Sequence, residues 1–218
     1  APGQHMAAVR HKSPASVVVC GYQQSGEYKG EHVDIEGVFL KAGYLASGGI
    51  TLEDLTGMAD NAVRSPGVCA GMGTANSMHI VCEALGMTLP GAAPVLANSA
   101  KMMDYARRSG ERIVQMVWDD CKPRDIMSAG SIANASMVVL ALSGSINCVK
   151  HLQAIAHESG IDVDVYALFQ QYADKVPLLA AIRPNGAGRL AELDSAGGAR
   201  AVLKRLATTT AIEARSVG

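Results

Sequence analysis

Ser16-Val17-Val18-Val19-Cys20-Gly21 is the stretch that separates an α/β chain from an all-α one. Three successive β-branched side chains are stiff at χ1 and suit an extended backbone better than a helix. Pro14 lies just before the run and the loop Tyr22 to His32 (YQQSGEYKGEH) follows it, so it reads as one strand. Its unbroken apolar character predicts cover on both faces. The loop has two glycines and mixed charges without period, which predicts exposure. Glu27, Lys29, Glu31 and His32 read there as a solvated face or, alternatively, as a lid over an active site.

Downstream the pattern turns helical. Leu52, Leu55, Met58, Ala59 and Ala62 recur at helical spacing behind Thr51, a suitable N-cap. Thr74 to Leu85 forms the next helix, stopped by Gly86, with Met78, Val81, Cys82 and Leu85 on one face. Cys82 therefore reads as a small core hydrophobe. The prolines of Leu89-Pro90-Gly91-Ala92-Ala93-Pro94 exclude helix. Ser99 to Asp120 is a long amphipathic helix ending before Lys122-Pro123. Ile132 to Leu142 and Ile146 to Glu158 are two more, with Ser143 or Ser145 as N-cap of the second. Val165 to Ala173 and Ala199 to Leu206 are shorter, and Ile182 to Gly186 is a turn. Pro94 to Ala97 and Leu178 to Ala181 are further strand candidates. With about seven helical segments and no internal repeat, the expectation is a helix-rich three-layer α/β/α domain around a small mostly parallel sheet, a single domain over 1–218.

Composition narrows the function. The chain has 218 residues, 49% hydrophobic and 18% charged, enough for one sizeable core. Nineteen basic against 20 acidic residues leave a net charge of −1, and aromatics are only 4%, so neither a basic field nor stacking platforms point to nucleic acid or an anionic membrane. Ile126 to Val149 carries no charge, but Ser128, Ser131, Asn134, Ser136, Ser143, Ser145 and Asn147 interrupt it, so it reads as a buried core segment rather than a membrane span. Five cysteines (Cys20, Cys69, Cys82, Cys121, Cys148) are odd in number with no CxxC pair, which predicts a reduced, cytoplasmic chain.

Pro66 to Met78 (PGVCAGMGTANSM) holds the most informative chemistry: a thiol in a glycine-rich turn that leads directly into a helix. Backbone N–H groups and the helix dipole at such a place lower a thiol's pKa and favour metal-bound thiolate or an anion. Gly67, Gly71 and Gly73 allow close backbone approach. A dinucleotide-binding reading of these glycines fails, because no acidic residue follows at the required distance. A thiol-dependent enzyme of another class would need a base near Cys69 that the sequence does not identify. His79, His151 and His157 lack partners at metal spacing and read as structural, His79 with Glu83 as a surface i,i+4 pair.

At this segment the chain resembles the dihydroxy-acid dehydratase and 6-phosphogluconate dehydratase family. Cys69-Ala70-Gly71-Met72-Gly73-Thr74-Ala75-Asn76 is similar to its C-x-G-M-x-T-A-N turn, followed by Glu83-Ala84-Leu85-Gly86 and Leu89-Pro90-Gly91. Lys122-Pro123-Arg124-Asp125-Ile126 resembles its K-P-R-D-I segment. Ser143-Gly144-Ser145-Ile146-Asn147 resembles its G-G-S-T-N turn, with Ile146 where the family usually has Thr, and His151 to Ala156 resembles its H-L-x-A-I-A helix. The matches are collinear over essentially the whole chain.

The resemblance implies a hydro-lyase that removes water from a 2,3-dihydroxy acid, either a branched-chain dihydroxy acid or a sugar acid, to give a 2-keto acid. It implies an iron–sulfur cluster, [2Fe-2S] or [4Fe-4S], and Mg2+. It also implies a small-molecule hydroxy-acid substrate and a homodimer or homotetramer. Cys69 would be one of three cluster ligands, and Ser143, Gly144, Ser145 and Asn147 would bind substrate at a helix N-terminus. Plain N-capping is the competing reading of the two serines. Pro2-Gly3-Gln4-His5-Met6-Ala7 resembles the second half of the family signature C-D-K-x-x-P-G, so the chain is expected to be the central part of the N-terminal cluster-binding domain. The missing Cys, Asp and Lys would precede Ala1, and the proposed base would lie in a C-terminal domain. Alone, the chain is then expected to be inactive and to expose apolar surface. The alternative is a non-catalytic folding or association module derived from that family.

Overall fold

Helices dominate because most apolar positions recur at helical spacing. The computed structural model describes residues 2–208. It contains α1 (Pro2–His11), β1 (Gly26–Tyr28), β2 (Glu31–Val33), α2 (Ile35–Ala42), α3 (Leu52–Ala62), α4 (Thr74–Ala84), α5 (Ala100–Trp118), α6 (Pro123–Ile126), α7 (Ala129–Ala141), α8 (Asn147–Ser159), α9 (Val165–Tyr172), α10 (Leu190–Ser195) and α11 (Gly198–Ala207). The fold is a helix-rich α/β arrangement, as expected.

The centre is α7, the uncharged segment. It packs against α4, α8, α9 and α11, and Ile132, Met137 and Val138 are fully buried. Its polar residues are satisfied locally. Ser128 and Ser131 form a reciprocal capping box, and the Ser136 hydroxyl donates to the Ile132 carbonyl at 2.9 Å. Among the described residues no helix is long and apolar enough to cross a membrane. α5 is the opposite case. It turns Met116 inward and leaves Trp118 81% exposed.

Arg124 of the Lys-Pro-Arg-Asp-Ile segment ties the termini of two helices together. It donates to the carbonyls of Val9, Ser159 and Glu158 at 3.1, 2.8 and 3.0 Å, satisfying the open C-terminal end of α8.

The sheet differs from expectation. Among the described residues the only named sheet is the antiparallel pair β1–β2, inside the segment read as an exposed loop. Lys29 (φ 50°) and Gly30 (φ 81°) make its two-residue turn, both left-handed as a type I′ hairpin needs. The Ser16–Gly21 run is not a strand, and it is covered on one side rather than both. Val19 is buried while Val18 and Cys20 are exposed. Val17 N–H donates to the Met87 carbonyl at 2.7 Å, and just past the run Tyr22 makes single parallel bridges to Val68 and to Leu96. The expected mostly parallel sheet is thus reduced to one rung on each side. Gly21 (φ 79°) packs against the backbone of Val95 and Ala97, where a Cβ would not fit. Leu178–Ala181 is not a strand either; Leu179 and Ala180 donate to the Ala141 carbonyl and close the end of α7.

Candidate active site

The Tyr22 bridges matter because they aim the Cys69 turn. Gln23 N–H donates to the Val68 carbonyl at 2.7 Å, and Val68 N–H to the Gly21 carbonyl at 3.0 Å. Gly67 sits at φ 128° with its α-carbon against the Tyr22–Gln23 peptide, a position closed to any side chain. Three bonds then close the turn. The Asn76 amide donates to the Cys69 and Gly71 carbonyls at 2.6 and 2.7 Å, and Met72 N–H donates to the Arg183 carbonyl at 2.7 Å. Asn76 itself is fully buried. The result is a half-buried thiol immediately before α4, whose N-cap is Gly73.

Facing the thiol is a side chain that the sequence reading passed over. Asp34 caps α2, accepting from Gly37 N–H at 2.7 Å, and so places Glu36 in the first helical turn. The Glu36 carboxylate lies over the Cα of Gly71, where a Cβ would overlap it, and it interacts with the Cys69 thiol. Its Oε2 is buried without a hydrogen-bond partner. Burial first, then Asp34, raises the Glu36 pKa. Burial first, then Glu36, raises that of Cys69, although the Gly71 N–H pulls the other way. The lowered thiol pKa expected from the helix start is therefore not found, because desolvation and a neighbouring carboxylate outweigh the dipole.

Asp34 is itself buried, beside a guanidinium and an imidazole. Arg183 Nε lies 3.2 Å and His32 Nε2 3.4 Å from Asp34 Oδ2. These three residues line a cavity of about 750 Å3 that reaches Ala70 beside the thiol, with Gln23, Gln24 and Arg189 on its walls. His32, expected on a solvated loop or lid, stands at the hairpin edge of this cavity. The hairpin is anchored on α3, since Tyr28 and Lys29 both bond Asp54, at 3.2 and 2.6 Å.

The Ser143–Asn147 turn is docked on the first turn of α4, so the fold brings it and the Cys69 turn to one helix end. Its polar groups are largely used up there. Ser145 Oγ lies 2.9 Å from Thr74 Oγ1, the Ser145 N–H donates to Ser77 Oγ at 2.9 Å, and the Asn147 amide donates to Thr74 Oγ1 at 3.0 Å. Gly144 packs against Ser77 and Val139. Ser143 is left-handed (φ 49°), and its hydroxyl is buried without a partner among the described residues. Neither serine is the N-cap of α8, a position taken by Ile146, which is 81% exposed. Ser145 Oγ nevertheless accepts from Asn147 N–H at 3.3 Å.

Two sequence expectations at α4 change. His79 and Glu83 are not a surface pair. His79 Nε2 lies 3.6 Å from Cys20 Sγ, and burial pushes its pKa down to about 4. Glu83 is buried, and its carboxylate accepts from the Gly91 and Ala93 N–H groups at 2.7 and 2.9 Å. Cys82 is buried in the core, as its helical position indicates.

No three His, Cys, Asp or Glu side chains among the described residues converge as a metal site. What the chain offers is one thiol with one orphaned carboxylate oxygen beside it. That fits one edge of a thiolate-held group and not a whole ligand set.

The profile of the Dihydroxy-acid/6-phosphogluconate dehydratase N-terminal family matches residues 1–217. A dihydroxy-acid dehydratase of Methanothermobacter thermautotrophicus is 43% identical over 206 residues, 94% of this chain and 37% of that protein. Those of Halothermothrix orenii and Methanococcoides burtonii are each 39% identical, over 97% and 99% of this chain and 38% and 39% of theirs. The chain thus spans less than two fifths of the length of these relatives. On the match to nearly every residue, the chain belongs to the dihydroxy-acid/6-phosphogluconate dehydratase family, in its N-terminal part.

Proposed function

We propose that the chain is the central part of the N-terminal domain of a hydro-lyase that converts a 2,3-dihydroxy acid into a 2-keto acid. The observation that carries this reading is the Cys69 turn. It is a thiol held by three turn-closing hydrogen bonds beside an unpartnered carboxylate oxygen, within a chain whose relatives are named dihydroxy-acid dehydratases.

Cys69 is the residue of this chain that would hold an iron–sulfur cluster, with the remaining ligands and the Mg2+ site supplied by other parts of the polypeptide. When bound, these groups supply a Lewis acid for the departing hydroxide and a cation for the substrate carboxylate. The chain's own residues do the positioning. Asn76 and the Arg183 carbonyl fix the turn that carries the thiol, whose neighbour Ala70 lines the cavity. Arg183 and Asp34 form a neutral ion pair on its wall, with His32 beside them. Donors and acceptors are both present there, which suits a ligand bearing hydroxyls as well as a carboxylate. Among Ser143, Gly144, Ser145 and Asn147 as substrate-side residues, Ser143 is the one with a side-chain group left over, since the Ser145 and Asn147 side chains already bond α4. We place the protein in the cytoplasm, as a soluble enzyme without nucleic-acid or membrane partners, on its balanced charge and reduced thiols.

A specific observation also supports an association surface. Phe39 and Leu40 on α2 and Tyr44 just after it are 71%, 63% and 58% exposed, and Trp118 projects from α5. A homodimer or homotetramer would cover such groups.

The test is a dehydration assay on the anaerobically purified full-length protein, with a branched 2,3-dihydroxy acid and a sugar acid as alternative substrates. The 2-keto acid should form from one of them, and Cys69→Ser should abolish both iron content and turnover. A full-length protein that binds no iron and produces no keto acid would leave the non-catalytic module as the reading.

A further inference from the structure

We propose that Gln23 is a specificity-determining residue of the cavity beside the Cys69 turn. Its side-chain amide holds a substrate hydroxyl beyond the reacting 2,3-diol, which makes the substrate a polyhydroxylated sugar acid rather than a branched-chain dihydroxy acid. The proposal rests on the dehydratase reading above, but none of the motifs that carry that reading includes Gln23.

Only 8% of Gln23 is exposed, yet its side chain makes no hydrogen bond among the described residues. Buried amides are normally satisfied, because an unpartnered one forfeits its hydration. Its backbone is fixed next to Cys69, where Gln23 N–H donates to the Val68 carbonyl at 2.7 Å, and the residue lines the cavity of about 750 Å3. Other polar groups of that wall are spent on one another. Asp34 accepts from Gly37 N–H and pairs with Arg183, and Arg189 pairs with Glu192 at 2.8 Å. The Ser195 hydroxyl donates to the Ala191 carbonyl. Gln23 is thus the buried residue of the wall with both a donor and an acceptor left to offer.

A hydroxyl is the ligand group that answers both, since it donates and accepts. A hydrocarbon end placed against the amide would leave it desolvated and unpaired. The space beyond points the same way. Gln24, Ser25 and His32 line this cavity and also a second one of about 570 Å3, whose other walls include Glu27, Asn61 and Arg64. Among the described residues lining the second cavity, none has a hydrocarbon side chain. Nor does any described carboxylate pair with Arg64, whose guanidinium reaches Asn61 Oδ1 at 3.5 Å. A chain of hydroxyls running past Gln23 into this polar extension finds partners along its length. The methyl groups of a branched acid have apolar cover in the first cavity alone, at residues such as Leu96 and Leu190.

The experiment uses the full-length protein, purified anaerobically and reconstituted with iron and sulfide, as wild type, Gln23→Met and Gln23→Asn. Met approximates the length of Gln without its amide, and Asn keeps the amide on a shorter arm. The kcat/KM for 2-keto acid formation is measured with five- and six-carbon aldonic acids and with 2,3-dihydroxy-3-methylbutanoate, beside iron content and far-UV circular dichroism. In the wild type the best aldonic acid should exceed the branched acid by about 100-fold. Gln23→Met should keep the iron and the dichroism and shift the ratio of the two kcat/KM values about 10-fold or more toward the branched acid. A wild type that prefers the branched acid overturns the proposal while leaving the dehydratase reading intact, and so does a Gln23→Met protein with the wild-type ratio. If the Met variant does not fold or hold its iron, the Asn variant decides, and an unchanged ratio there overturns the proposal equally. If the wild type converts neither kind of acid, the dehydratase reading fails and the proposal with it.

Discussion

The two turns that meet at the start of α4 are built from the same materials, glycine and short polar residues, yet they end in opposite states. In the Ser143–Asn147 turn, Ser145 and Asn147 bond Thr74, and Ser77 receives the Ser145 N–H. In the Cys69 turn the hydrogen bonds are made by backbone and by Asn76. The thiol and the Glu36 carboxylate are left facing each other, with an oxygen unpartnered. The difference teaches that glycine-rich turns at helix starts are not equivalent. One spends the Ser145 and Asn147 side chains on α4 and leaves only the Ser143 hydroxyl without a partner among the described residues. The other is held by backbone and by Asn76, so that its thiol is not spent on closing the turn.

If that contrast is right, Asn76→Ala should be the most damaging change. It removes two hydrogen bonds from buried carbonyls and leaves a hole, for a loss of about 3 kcal/mol in chemical denaturation. A loss below about 1 kcal/mol would mean that the Cys69 turn holds itself. The far end of α4 supplies a pH test of nearly the same size. Burial pushes Glu83 up to about 7 from an ordinary 4.5, despite the Gly91 and Ala93 N–H groups. The folded state therefore favours the protonated acid. That stabilisation is complete below the unfolded value and fades as pH rises through 7, worth about 3 kcal/mol in all. Glu83→Gln should flatten this part of the stability–pH curve relative to wild type, and parallel curves would contradict it.

Gly71→Ala should cost about 2 kcal/mol by forcing its Cβ into the Glu36 carboxylate. Combined with Glu36→Ala it should cost much less than the sum. A double-mutant cycle that came out additive would show that the two do not touch. In the other turn, Ser145→Ala should lose about 1 kcal/mol, the net worth of one partly buried hydrogen-bond pair. Ile146→Thr, at an 81% exposed position, should stay within about 0.5 kcal/mol in a thermal melt. A larger change there would show that the side chain at this position is held by something.

Much of the helical frame was legible because its signals are local. Thr51 caps α3 by accepting from Asp54 N–H at 3.0 Å, and Ser99 caps α5, as hydroxyls before apolar-periodic segments should. The hairpin hid in a polar stretch, because three-residue strands show no usable alternation. Its Lys29-Gly30 turn was the one available clue. The Val17–Val19 run misled for the opposite reason, since β propensity reports a preference for extension and says nothing about whether neighbours arrive to pair. At the site, Cys69 was visible through its glycines. Glu36 was not, because only an Asp at position 34 before an apolar segment marked the helix that carries it.

By itself the sequence determined the longer helices α3, α4, α5, α7 and α8, the Thr51 cap of α3 and the family to which the chain belongs, because each depends on residues close together in the chain or on collinear motifs. Only the tertiary structure decided that the expected sheet shrinks to the single bridges at Tyr22, that burial raises the Cys69 pKa, and that a carboxylate from α2 stands against the thiol. Those outcomes depend on desolvation and on contacts between segments about 30 or more residues apart, which no local pattern encodes.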